Sequence, residues 1–212
     1  MTETQAGKTQ ILLEQAARQK NSDAAGASSM TDAARHYASA AEAENAFSLF
    51  REKLLRIERW NSCSGISSFT LFDKKGNPRL EEKADGGDFI KIILPGSGKD
   101  DWVNVIEIYD TPNEIVITVQ PCHDPTDEEN ETTTSHFFTG DSTNNFCLQR
   151  RDLQITIHVI GLNEKSNTAD TSGIIETIRN VATAKVGQYL GIQKIQWKTF
   201  CENFLEDEKA EV

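Results

Sequence analysis

Three short stretches of this 212-residue chain gather residue types that could do chemistry. Gly96-Ser97-Gly98-Lys99 has the glycines and lysine of a phosphate cradle. Ile93, however, stands where G-x-x-x-x-G-K-[ST] needs its first glycine, and Asp100 follows the lysine. A strand rather than a helix is expected next, so no helix N-terminus would face a phosphate. The stretch reads as a hairpin turn, a setting glycine suits. Cys122-His123-Asp124 sets a thiol, an imidazole and a carboxylate side by side. Catalytic triads draw their members from separate elements, so adjacency in sequence argues against one here. Asp124, Asp127, Glu128, Glu129 and Glu131 concentrate carboxylates, yet without the glycine that bends a calcium loop. They read as a solvated acidic loop. The sequence therefore calls for no catalytic residue, no metal and no cofactor.

Stepping from these residues to the elements that carry them, the stretch Asp152 to Ile160 alternates. Leu153, Ile155, Ile157 and Val159 point one way; Gln154, Thr156 and His158 point the other. His158 thus falls on the polar face, toward solvent or a neighbouring subunit. From Asp170, the residues Ile174, Ile178, Val181, Ala182, Tyr189 and Leu190 recur at helical spacing and form one stripe. Each apolar face is covered most economically by the other. The polar link Asn163-Glu164-Lys165-Ser166-Asn167 turns and caps between them, and would border a cavity mouth if the fold has one.

Upstream, the spacing of Ala43, Phe47, Phe50, Leu54 and Ile57 predicts a helix from Ala40 to about Trp60, with Thr31-Asp32 or Ser39 as its cap. Strand-like runs follow at Phe69–Phe72, Asp88–Leu94, Asp101–Tyr109, Glu114–Val119, Thr132–Phe138 and Phe146–Arg150. Their short, turn-rich links predict antiparallel hairpins, with a polar turn at Gly140–Asn145. A further segment carrying Ile195, Trp197, Phe200 and Phe204 continues or repacks the C-terminal helix. The expected organisation is a disordered or loosely attached leader over 1–30, one α+β domain over 31–205 and an acidic tail over 206–212. The leader holds at most a short helix around Ile11 to Gln19.

Composition narrows the function classes. Net charge is -11, and no basic cluster exceeds Arg150-Arg151, so phosphate backbones are repelled and nucleic acid is not an expected partner. The longest apolar run, Ile90–Leu94, is strand-sized, so no membrane span is expected. Met1–Gln10 has a lone Lys8 and no hydrophobic h-region, so no secretion signal is expected. Cys63, Cys122, Cys147 and Cys201 lie far apart and read as reduced, mostly buried thiols of a cytoplasmic protein.

A helix opened by Ser39-Ala40-Ala41-Glu42 and closed at Trp60, a meander whose second run is entered through Gly87-Asp88, and a long C-terminal helix make up an order similar to the START and Bet v 1-like helix-grip superfamily. The resemblance covers Ser39 to about Phe204. It implies a curled antiparallel sheet of six or seven strands around the terminal helix, and a first strand near Arg35–Ala38. It also implies a cavity for an apolar or amphipathic small molecule. Phe89, Trp102, Phe137 and Tyr189 are the expected ligand-binding residues, with strand glutamates fixing ligand orientation. The contrasting expectation is a non-catalytic interaction module whose acidic surface docks a basic protein.

Overall fold

The computed structural model describes residues 6–20, 27–65, 67–93, 100–127, 138–165 and 195–206. Its chain order is α1 (Lys8–Lys20), β1 (Ala27–His36), α2 (Ala40–Leu55), a 3-10 turn (Ile57–Trp60), α3 (Asn61–Ser64), β2 (Ser68–Phe72), β3 (Phe89–Ile93), β4 (Asp101–Thr111), β5 (Glu114–Pro121), β6 (Thr143–Arg151) and β7 (Gln154–Glu164). A last helix, α4, occupies 195–204. The class is α+β: seven antiparallel strands form one open sheet in the order β1-β7-β6-β5-β4-β3-β2, with α2 before the meander and a C-terminal helix after it.

Ser39 caps α2, and Glu42 reaches back to the residue before the cap. Ser39 Oγ accepts from the Glu42 amide at 3.2 Å, while the Glu42 carboxylate accepts from the Ala38 amide at 3.3 Å. The expected stripe is realised, with Ala43, Phe47, Phe50 and Leu54 all buried. The helix ends sooner than its periodicity suggests: the 3-10 turn takes over at Ile57 and brings Trp60 back to donate its indole N–H to the Leu54 carbonyl at 3.0 Å. This satisfies a polar atom that would otherwise sit unpaired in the core.

Strand alternation gives the sheet two distinct faces. On the inner face Phe69, Leu71, Ile90, Val103, Val105, Ile115, Ile117, Phe146, Leu148, Ile155, Ile157 and Val159 meet α2 and α4. Trp60 is the hub, with its ring centroid 4.3 Å from Phe146, 5.6 Å from Phe69 and 5.5 Å from Phe200. Trp197 closes the cluster at 5.3 Å from Phe146 and 5.8 Å from Phe200. The segment bearing Trp197, Phe200 and Phe204 thus repacks against the sheet as α4. The amphipathic stripe read over Thr171–Leu190 lies outside the described residues.

The outer face of the sheet carries α1. Leu12 and Ala16 pack with Val116, Cys147, Ile160 and Leu162. This corrects the expectation of a loose leader for residues 8–20 and 27–30, which form a docked helix and the start of an edge strand. α1 is polar on average in sequence, and its anchor is remote. Glu114, buried at the head of β5, accepts from the amides of Lys8 at 3.1 Å and Thr9 at 2.6 Å, and so caps the helix in trans. A β-carbon on Gly7 would lie 2.7 Å from that carboxylate, so the close approach requires glycine.

Further differences concern strand ends. β1 begins at Ala27 rather than near Arg35 and pairs with β7 along its length, from Ala27↔Glu164 to His36↔Gln154. The segment Gly140–Asn145, expected to be a turn, is strand from Thr143 onward. Asp152 and Leu153 form the tight β6–β7 turn, with φ of 52° at Asp152. Leu153 is consequently 41% exposed and leaves the apolar row to Ile155, Ile157 and Val159. Among the described residues no helix is long and apolar enough to cross a membrane.

Two contrasts test this packing. Phe200→Ala, which empties space beside Trp60, is expected to cost about 3–5 kcal/mol, whereas Leu49→Ala on the exposed side of α2 should stay within about 0.5 kcal/mol. Denaturant midpoints distinguish them. By the same measurement Glu114→Ala, which leaves two helix amides unmet, should cost about 1–3 kcal/mol, and Glu107→Ala, which frees only the exposed Lys8 ammonium, less than about 1 kcal/mol.

Candidate functional site

A cavity of about 540 Å³ opens where the C-terminal half of α1 overhangs the paired ends of β1 and β7. Among the described residues its apolar walls are Leu13, Ala16 and Ala17 of α1, Ala27 and Met30 of β1, and Trp197 of α4. The wall from α1 is locked in place at two points. Ser28 Oγ donates to the Ala16 carbonyl at 2.9 Å. Gln19 and Asn163 exchange hydrogen bonds, Nε2 to Oδ1 at 2.7 Å and backbone amide to Oε1 at 3.1 Å.

The polar groups of the cavity arise from an irregularity in the β1–β7 pair. Ala27 pairs with Glu164 and Ser29 with Gly161, so two steps on β1 face three on β7. Asn163 takes up the extra residue with φ of 54°, a conformation asparagine tolerates. The bulge folds the Glu164 side chain back over Gly161, where any β-carbon would collide with its carboxylate. Ser29 Oγ donates to Glu164 Oε1 at 2.8 Å. Glu164 is only 7% exposed, and burial raises its pKa above the usual carboxylate range while the Ser29 bond pulls the other way. Trp197, also 7% exposed, has an Nε1 with no hydrogen-bond partner. Exposed Lys20 completes the lining with Ser28, Ser29 and Thr31.

Phe89 and Trp102 lie elsewhere. Both side chains project from the outer face: Trp102 packs edge-on to Phe72 at 4.9 Å beneath the Lys91 ammonium, and Phe89 meets His123 at 5.8 Å. They are thus on the face turned away from α2 and α4, and β4 is three strand spacings from β7, roughly 14 Å. The inner space where a ligand was expected is occupied, in the described region, by the aromatic cluster around Trp60. Phe137 and Tyr189 lie outside the described residues, as do Gly96-Ser97-Gly98-Lys99 and Glu128, Glu129 and Glu131 of the acidic loop.

Cys122-His123-Asp124 forms no nucleophilic device. Burial, with a smaller contribution from Asp124, pushes the Cys122 thiol up to about 12, so it stays protonated at neutral pH. Asp124 accepts from the amide and hydroxyl of Thr126 instead. All four cysteines are free thiols. His158 faces outward as its alternation demands, but its Nδ1 is buried without a partner and desolvation lowers its pKa. Among the described residues no group of three or more His, Cys, Asp or Glu is placed to hold a metal ion.

Sequence reading touched this site only at the Asn163–Asn167 link, which was expected to border any cavity mouth. Ser29 and Met30 were hidden in the supposed leader, and Trp197 was read within a segment that continues or repacks the C-terminal helix. The available signal was Gly161 followed by a polar Asn163-Glu164 pair at the end of an apolar strand, a position where a bulge re-aims a side chain.

No family model and no curated protein matches the chain. Among solved structures, a hypothetical protein from Helicobacter pylori superposes with a TM-score of 0.53 at 6% identity, covering 89% of this chain and 91% of that one. A ginseng major latex-like protein from Panax ginseng gives 0.40 at 10% identity, covering 84% and 99%. The di-domain ARO/CYC BexL of the BE-7585A biosynthetic pathway gives 0.40 at 9% identity, covering 83% of this chain and 45% of that one. At 6% identity the likeness to the Helicobacter pylori protein is one of fold alone.

The buried carboxyl at Glu164 yields a pH test. Its folded pKa lies above the ordinary value of 4.5, so the folded state holds a proton that an unfolded glutamate releases. The resulting stabilisation is full below that ordinary value and is lost as pH rises through the raised one. Glu164→Gln removes this loss. Denaturation across pH 4 to 8 should show the variant gaining stability relative to the parent as pH increases.

Proposed function

We propose that this chain binds an apolar or amphipathic small molecule in the cavity between α1, the β1–β7 end and Trp197, as a helix-grip type of binding protein. The observation that carries this reading is the cavity itself. Its volume of about 540 Å³ lies within the roughly 300–1,000 Å³ usual for ligand sites. Its described walls combine alanine, leucine, methionine and indole with Lys20, Ser28, Ser29, Thr31 and Glu164, a composition that suits an amphipathic occupant. Glu164 and Ser29 offer directional contacts, so they replace Phe89 and Trp102 as the residues proposed to orient a ligand.

The neutral fluorophore N-phenyl-1-naphthylamine tests the reading. Saturable binding with enhanced emission is expected for the parent protein. Ala17→Trp adds bulk to an exposed wall position without entering the packed core, so it should abolish saturable binding with little change in the denaturant midpoint. Absence of saturable binding to the parent would overturn the proposal and leave the acidic surface, as a docking face for a basic protein, the better reading.

A further inference from the structure

The two edges of the sheet end differently. β2 is closed off. The Phe69 amide and carbonyl exchange bonds with the Asn61 carboxamide at 2.6 and 3.1 Å, the Leu71 amide donates to Glu58 at 3.1 Å, and the Leu71 carbonyl accepts from the Arg79 amide at 2.8 Å. These bonds occupy the backbone groups that a further strand would need. β1, the opposite edge, has no such cover among the described residues. The Tyr37 amide donates to the Leu153 carbonyl at 2.9 Å, so by the alternation of an antiparallel ladder Thr31, Ala33 and Arg35 also bond to β7, while Met30, Asp32, Ala34 and His36 turn their amides and carbonyls outward. Those four are also exposed, and nothing among the described residues bonds to these backbone groups. An open row of this kind is a template for another strand, and β1 has neither proline nor lysine to blunt it. We propose that β1 is a dimer seam, pairing antiparallel with β1 of a second copy of this chain about a two-fold axis at Ala34, so that the two sheets run on as one.

The second copy is favoured by what faces what across the seam. Bonds form only between outward-turned groups, so even-numbered residues must stand opposite even-numbered ones, which leaves a few registers. An axis at Asp32 sets its carboxylate against the same carboxylate, on two molecules that each carry a net charge of -11. An axis at Ala33 leaves Asp32 opposite Ala34 and Arg35 opposite Thr31, with no charge matched. An axis at Ala34 sets Asp32 opposite His36 on both sides of the centre, where two methyl groups meet. An imidazole carries an N–H donor whether charged or neutral, so it suits a facing carboxylate. The same register satisfies the outward amides and carbonyls of Asp32, Ala34 and His36 in both copies. The seam is thus self-complementary, as a two-fold interface must be. It lies apart from the cavity and does not depend on ligand binding.

Sedimentation velocity of the full chain over a concentration series tests the seam, and a concentration-dependent shift from monomer to dimer is expected. Ala34→Pro removes an amide that the monomer does not use and one seam bond from each copy, so it should raise the dissociation constant about ten-fold or more. Its denaturant midpoint shows whether the monomer still folds. Asp32→Lys supplies a second reading: it should weaken the dimer about three-fold or more, and combining it with His36→Asp should restore the parent affinity. Copper-phenanthroline oxidation of Ala34→Cys should link the copies covalently, because residues facing each other on the axis lie roughly 5.5 Å apart at Cα, within disulfide reach. Leu49→Cys, on the exposed side of α2, should link no faster than the parent. A monomer at every concentration overturns the proposal and leaves the edge to a strand of another protein. A dimer that a folded Ala34→Pro leaves intact, or that links no faster through residue 34 than through residue 49, overturns it as well.

Discussion

Trp60 sits where α2, the 3-10 turn, the sheet and α4 converge, and the other contacts of the inner face depend on that convergence. Its indole can be buried because the chain reverses after Leu55 and offers the Leu54 carbonyl to Nε1. With the polar atom satisfied, the ring is free to act as a large apolar surface that Phe69, Phe146 and Phe200 approach at tilted and edge-on angles, the arrangements an aromatic quadrupole favours. Polar bonds add to the hold on α4: Arg35 Nη1 of β1 donates to the Leu205 carbonyl at 2.9 Å, and Lys53 Nζ of α2 to the Phe204 carbonyl at 3.1 Å. The helix's own stripe is Trp197, Phe200 and Phe204, and each ring is aimed into this cluster or toward Phe50.

The cavity follows from how the cluster ends. Trp197 is its outermost ring, so one side of the indole is packed by Phe146 and Phe200 while the residue also borders open space. The bulge at Gly161–Glu164 forms the facing polar wall, and α1 overhangs both. Three elements from distant parts of the chain therefore create a space that none encloses alone. This placement differs from a pocket between sheet and terminal helix, because the described inner face is already filled by aromatic side chains.

Periodicity exposed most of the sheet and α2 in the sequence, because those elements bury continuous stripes: Phe47, Phe50 and Leu54 on the helix, and Ile155, Ile157 and Val159 on the last strand. Most of β1, from Ala27 to Ala34, escaped notice for the opposite reason. Ala-Ser-Ser-Met-Thr-Asp-Ala-Ala-Arg-His buries no complete side chain and owes its extended form to backbone pairing with β7. α1 was faint because its docking depends on Glu114, about a hundred residues away, and no local pattern encodes a cap supplied from another element. The outward placement of Phe89 and Trp102 was not legible for a related reason. An aromatic residue in a strand announces burial, but which side it faces is fixed by register with neighbours such as Phe72 and Val103.

The remote cap on α1 also bears on the order in which the molecule assembles. The amide of Thr9 and the carboxylate of Glu114 are separated by 105 residues, and the helix rests on Ile160 and Leu162, later still. During synthesis α1 emerges before β5, β6 and β7, so the groups that stabilise it follow it out of the ribosome. A 13-residue helix with three buried residues is marginal by itself, so its stability depends on the β4–β5 hairpin and β7 being in place. The cavity therefore takes shape only where this arm has a finished sheet to settle on.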